Sequence, residues 1–257
     1  MFTWTKEEKL VLPIALAIIV VISIITCFLT RKQNETIRKI PLMIISATML
    51  ILEVAKQIIN IQSGYSYWAI PLHFCSLFLY FFPLASFFKG RVGDFGKVMS
   101  LVCSTYFIVL FYFNPDSVIG NSSANIFQSF GTFHTWFYHH LIILFFFIFV
   151  GSKLYKPQKV DFLYATLGIL LYGAIAVPVA HALDTNFCNL LHSSIPFMEA
   201  LRINTSQAFY TFIMFVVGIG GVNIVILIAH LIQYIIDKHK AVNTPYSKIM
   251  KILKTDI

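Results

Sequence analysis

The sequence predicts an all-α membrane protein: one domain over residues 1–257, built as a seven transmembrane helix bundle with the N-terminus outside and the C-terminus cytoplasmic. Three observations predict it. The composition suits a chain solvated by lipid, with 58% hydrophobic, 16% aromatic (26 of them Phe) and only 12% charged residues; a soluble domain carries roughly a quarter charged residues. Seven apolar runs recur, each near the roughly 20 residues that span a bilayer as helix. Lys and Arg gather in alternate connecting segments. This composition excludes a soluble enzyme, a disordered chain and a nucleic-acid-binding module. The formal net charge of +8 is assigned to cytoplasmic loops facing anionic lipid, so the bilayer is the expected partner and nucleic acid is not.

The runs lie near 11–30, 40–62, 68–88, 97–114, 133–151, 161–183 and 207–236. The first ends in Arg31-Lys32, is too long for a cleaved leader and lacks a small-x-small exit, so it reads as a retained helix. Helix is the form expected for every run, because backbone in lipid must satisfy its own hydrogen bonds and the alternation of a barrel strand is absent. Pro13, Pro41, Pro71 and Pro178 fall near the predicted helix ends, where a missing N–H costs least.

The connections set the orientation. Arg31, Lys32, Arg38 and Lys39 follow the first run; Lys89, Arg91 and Lys97 the third; Lys153, Lys156 and Lys159 the fifth; and Lys238, Lys240, Lys248, Lys251 and Lys254 the last. Those 15 cations oppose Lys6, Lys9 and Arg202 on the other side. The positive-inside rule then places the N-terminus out and the C-terminus in. The Ile-, Phe- and Lys-rich composition suggests a bacterial plasma membrane protein. Cys27, Cys75, Cys103 and Cys188 show no CxxC pattern, and no disulfide framework is expected. The sequence sets no oligomeric state.

Ionisable groups inside apolar helices cost about 2.5–3.5 kcal/mol each on insertion scales, so they are candidates for function. Glu53, Lys56, Gln57 and Asn60 follow i, i+3, i+4, i+7 spacing, one face of the second helix. The pair Glu53–Lys56 fits a site or an internal ion pair that fixes packing. His73, Ser76 and Tyr80 form a stripe opening the third helix; Cys75 lies about 200° around a regular helix from His73, and also fits as a small buried hydrophobe. The fifth helix opens with His134, His139 and His140 among Trp136 and Tyr138. His134 fits an interfacial anchor, whereas His140 lies nearly two turns in. His181 and Asp184 at i, i+3, with Asn186, close the sixth helix; a carboxylate there could orient an imidazole, or simply cap a solvated end. In the predicted topology these groups share the outer half of the bilayer, roofed by residues 184–206.

Such a cavity suits acyl transfer or ester hydrolysis on a membrane lipid substrate. His73 and His140 would serve as base and polariser, with His139 next to them and Glu53 as the orienting or acidic group. Ser76, Cys75 or Thr135 would be the nucleophile. Lys56, Gln57, His181, Asp184, Asn186 and Arg202 would bind substrate, with Lys56 or Arg202 on a phosphate or oxyanion. Zinc on His73, His140, His181 and Glu53 lacks an HExxH or comparable spacing, so no metal and no cofactor is expected. The same Glu, Lys and His set could instead relay protons in an ion-coupled transporter, although no inverted repeat is visible.

Four features carry a resemblance to a known family: Glu53 with Lys56; Pro71-Leu72-His73-Phe74-Cys75; His139-His140-Leu141; and Asn186-Phe187. On these the chain resembles the YwaF family of bacterial integral membrane proteins, whose animal relatives include a transmembrane phospholipid acyltransferase. The resemblance implies a lipid acyltransferase or hydrolase that pairs a cysteine or hydroxyl with a histidine. The animal relative's cysteine precedes the helix-3 histidine, where Leu72 stands here, and bacterial members commonly carry Asp in place of Ser76.

Overall fold

The computed structural model describes residues 4–193 and 195–242; within them the chain is helical, with no strand. The first helix, α1 (Lys6–Thr30), begins five residues before the apolar run predicts. Thr5 and Glu8 form a reciprocal capping box, Glu8 N–H donating to Thr5 Oγ1 at 3.1 Å and Thr5 N–H to Glu8 Oε2 at 2.7 Å. That cap recruits the polar Lys6–Lys9 turn into the helix by satisfying its orphan donors. α2 (Glu35–Gln62) starts on Asn34, whose side chain accepts from Ile37 N–H at 3.0 Å.

The third predicted helix differs from expectation. Residues 68–88 are not one helix: a 3-10 turn at Tyr67–Ala69, an extended stretch through His73 and a second 3-10 turn at Phe74–Leu77 precede α3, which is only Phe78–Phe87. The cause is local. Pro71 forces Ile70 out of the α region, and Ile70 sits at φ −59°, ψ 130°. His73 is extended too, at φ −74°, ψ 161°. Its freed polar groups find partners within reach: Tyr80 Oη donates to Pro71 O at 3.1 Å, Tyr172 Oη to Leu72 O at 2.7 Å and Tyr138 Oη to Cys75 O at 3.2 Å. Unwound backbone survives in an apolar bundle when it is repaid in this way.

α4 (Gly90–Phe113) starts seven residues earlier than the run at 97 suggests. It is followed by the short α5 (Asp116–Ile119), then α6 (Phe130–Gly151), α7 (Asp161–Leu183), α8 (Pro196–Asn204) and α9 (Gln207–Val242). Six of these helices, α1, α2, α4, α6, α7 and α9, are long and apolar enough to cross a membrane. The chain is therefore a multi-pass membrane protein by length and composition. The lysines Lys248, Lys251 and Lys254 lie outside the described residues.

Long-range contacts define two ends of the bundle. At the basic end, Arg38 donates to Ser152 O at 2.9 Å, Lys97 approaches Glu35 at 3.9 Å, and a His230 ring nitrogen meets Gln158 O at 3.2 Å. At the other end, Trp4 Nε1 donates to Tyr112 O at 3.0 Å and Tyr210 Oη to Asn189 O. The stretch from Ala69 to Phe87 connects the two. Gln57 Nε2 donates to Ala69 O at 2.7 Å, whereas Ser86 Oγ meets Ser46 Oγ, in the basic half of α2, at 3.1 Å. Between the ends lies an aromatic core in which Phe78, Phe82, Phe107, Phe111, Phe145 and Phe149 are fully buried, and the Phe82 and Phe145 rings are stacked. α3 and α4 touch almost backbone to backbone at Gly96. The outward faces of α1 and α9 expose Ile, Leu and Val in rows, as helices solvated by lipid do.

Candidate functional site

The polar face of α2 converges with the start of α6. Glu53 is 8% exposed, and its Oε1 accepts from Lys56 Nζ at 2.8 Å and from Gln57 Nε2 at 2.6 Å. Both partners lie on its own helix, at the i+3 and i+4 positions that share a face. Gln57 also bridges outward, donating to Ala69 O at 2.7 Å and accepting from Tyr65 Oη at 3.0 Å. One side chain therefore ties the α2 cluster to the unwound segment that follows it.

The second oxygen of Glu53 faces α6. His134 Nε2 stands 3.9 Å from Glu53 Oε2, is buried and makes no hydrogen bond. This corrects the expectation that His134 is an interfacial anchor: the residue is 6% exposed and its ring stacks on Tyr138 at 5.3 Å between centroids. Position on the helix decides the matter. Ser129 and Thr132 cap α6 well before the histidine, so His134 is already inside the first turns. Sequence reasoning passed over it because a histidine at the helix entrance beside Trp136 and Tyr138 looks like a belt residue. Its i, i+4 stripe with Tyr138 was the available signal.

Tyr138 carries the cluster onward, since its hydroxyl donates to Cys75 O. Cys75 is half-buried and Ser76 buried, both in the 3-10 turn before α3. Glu53 and Lys56 lie within electrostatic reach of the Cys75 thiol. The regular-helix geometry that separates His73 from Cys75 does not apply, because the backbone between them is not α-helical. His73 Nε2 lies 2.9 Å from Trp68 O. A carbonyl only accepts, so Nε2 carries the proton and Nδ1 keeps a lone pair. The imidazole sits between Trp68 and Phe187, at ring distances of 4.2 and 5.1 Å.

His139 and His140 lie deeper on α6, with His139 still within electrostatic reach of His134 and Lys56. They lie five and six residues beyond His134, about 8–9 Å further along the helix. His139 stacks on Phe107 at 5.4 Å, and His140 lies against Trp136 at 4.0 Å and edge-on to Phe111 at 5.3 Å. Both are buried. His140 Nδ1 donates to Trp136 O at 2.7 Å by the same carbonyl argument, which leaves Nε2 as an acceptor with no hydrogen bond.

The closing loop is not assembled on the cluster. His181 and Asp184 are exposed, and Asp184 takes the left-handed backbone that ends α7, at φ 46°. Asn186 braces its own loop: its Oδ1 accepts from Leu191 N–H at 2.9 Å and its Nδ2 donates to His192 O at 3.0 Å. Arg202 is engaged on α8, where Nε donates to both Glu199 oxygens at 3.0 Å. Glu199 also accepts from Ser193 N–H at 2.8 Å, and these partners hold its carboxyl down at about 2. Among the described residues, no three His, Cys, Asp or Glu side chains converge as metal ligands would.

Helices of this length around buried, hydrogen-bonded ionisable groups define a polytopic helical membrane protein. Within that class the match is specific. Residues 1–234 fit the model of the TMEM164 family, and the chain belongs to that family. No curated protein and no solved structure matches it.

Proposed function

We propose that the chain is a membrane-embedded lipid acyltransferase or acyl hydrolase of a bacterial plasma membrane. In this reading residues 66–87 make a broken seventh crossing, with the N-terminus outside, the C-terminus inside and the Glu53 end facing out. One observation carries the proposal: the buried couple of Glu53 and His134 beside an unwound segment that presents Cys75 and Ser76. The resemblance to the YwaF family and its acyltransferase relatives points the same way.

The chemistry follows from these groups. The Cys75 thiol or Ser76 hydroxyl attacks the ester carbonyl of a phospholipid, and a histidine takes its proton. His134, with Glu53 3.9 Å from its Nε2, and His73, through its Nδ1, are the bases at this level. Lys56 stabilises the oxyanion. Collapse of the tetrahedral centre breaks the ester C–O bond, and the lysolipid leaves with the proton from the imidazolium. A lysolipid hydroxyl or water then takes the acyl group with the same base. His139 and His140, about 8–9 Å further along α6, take no part in these steps.

The test uses the purified full chain in nanodiscs with mixed phospholipids and lysolipids, read by mass spectrometry. New acyl species or free fatty acid should form, and His134→Ala and Glu53→Gln should each slow this by about 100-fold or more. A folded wild-type chain that leaves the lipids unchanged ends the enzyme reading. A second reading, an ion-coupled small-molecule transporter, draws on the unwound stretch itself, since broken helices line many transport sites. It predicts proton or ion flux in liposomes that Glu53→Gln abolishes.

A further inference from the structure

At the basic end, far from Glu53, a cleft of about 380 Å³ opens between α2, the end of α3 and the start of α4. Glu35, Lys39, Lys89 and Lys97 line it, together with Ser86 and Gly90. Three ammonium groups therefore face one carboxylate. Glu35 Oε1 holds Lys39 Nζ at 3.0 Å and reaches Lys97 Nζ only at 3.9 Å. Lys97 has a second partner in Asp94 at 3.2 Å, but Asp94 does not line the cleft. Lys39 is 6% exposed and paired with Glu35, which leaves Lys89 and Lys97 as the cations open to a ligand. Lys89 makes no capping hydrogen bond to α4, and no acidic residue stands in the first turn of that helix. Its positive end adds to the field of the lysines.

The flank of the cleft is apolar. Phe87 lines it and is 46% exposed, with Phe88 beside it at 49%. A ligand suited to both parts joins an anionic phosphate to hydrocarbon. We propose that this cleft binds the headgroup phosphate of an anionic phospholipid, with its acyl chains lying along Phe87 and Phe88. Lys89 and Lys97 contact the phosphate, and Glu35 competes with it for the lysines. The site is separate from the reaction proposed above and stands whether or not that reaction occurs.

The experiment titrates the full chain in a neutral detergent with short-chain phosphatidylglycerol, phosphatidylcholine of equal chain length, and inorganic phosphate. Affinity is read from native mass spectrometry and from the thermal midpoint gained over each variant's own lipid-free baseline. Phosphatidylglycerol should bind most tightly, and added salt should weaken it. Lys89→Gln and Lys97→Gln should each weaken it by about fivefold. Glu35→Gln, at an exposed carboxylate, should tighten it by a similar factor. Equal binding of phosphatidylcholine overturns the proposal, as does inorganic phosphate matching phosphatidylglycerol at equal concentration. Unchanged affinity in both Glu35→Gln and Lys89→Gln overturns it as well.

Discussion

Removing the charge of Glu53 exposes how the α2 cluster is held. In Glu53→Gln the side chain keeps its shape and still accepts from Gln57, but Lys56 loses the anion 2.8 Å from its ammonium. Breaking a fully buried pair costs about 3–5 kcal/mol. The Lys56 side chain is 28% exposed, which returns part of that hydration, and about 2 kcal/mol is expected. Lys56→Met should cost more, because the carboxylate it strands is only 10% exposed. The double variant should cost less than the two singles together. Couplings between polar groups in membrane bundles average about 0.6 kcal/mol and reach about 1.7; this pair, short and mostly buried, belongs near the top of that range. SDS-driven unfolding of the full chain in mixed micelles, followed by circular dichroism, measures all three variants. Single and double variants that add within about 0.3 kcal/mol would show that Glu53 and Lys56 do not depend on each other, and the account of the cluster would fail.

Other perturbations test other parts of the structure. Gly96→Ala puts a methyl 2.5–2.6 Å from backbone and Cβ atoms of Ala85 and Leu84; α3 and α4 must separate, and a loss of about 2–3 kcal/mol is expected in the same unfolding assay. Thr5→Ala removes the capping box of α1 and should cost about 1 kcal/mol, with faster amide exchange confined to the first turn. Glu199 titrates at about 2 in the folded chain, below its ordinary value. Its contribution is therefore complete above the usual carboxylate range and is lost as pH falls through that range toward 2. Protease cleavage within 193–204 should rise over that interval, and Glu199→Gln should remove the pH dependence.

Much of this fold is legible from hydrophobicity alone, since runs in lipid must be helices. The failures share one cause: chain ends and interruptions are decided by hydrogen bonds that hydropathy does not count. Thr5 and Glu8 pull a charged turn into α1. Pro71 and three tyrosine hydroxyls unwind a stretch as apolar as its neighbours. α8, nine residues closed by Glu199 and Arg202, is hidden in a polar loop. For the site, the spacing of Glu53, Lys56 and Gln57 was readable because it lies within one helix. The meeting of Glu53 with His134 depends on the rotation of α6 against α2, which no spacing along the chain encodes.

The shortness of α3 has a consequence for biogenesis. Ten helical residues rise about 15 Å, half the thickness of a hydrocarbon core, and Pro83 within them removes one backbone donor. In the proposed reading, where residues 66–87 make a broken crossing, such a segment is too short to span the bilayer as helix by itself. On that reading α3 depends on α4, which follows it after two residues and meets it closely at Gly96. Synthesis halted between Phe88 and Phe113 should then leave that segment outside the bilayer, and the hairpin of α3 and α4, not either helix, is the unit that the proposed crossing requires.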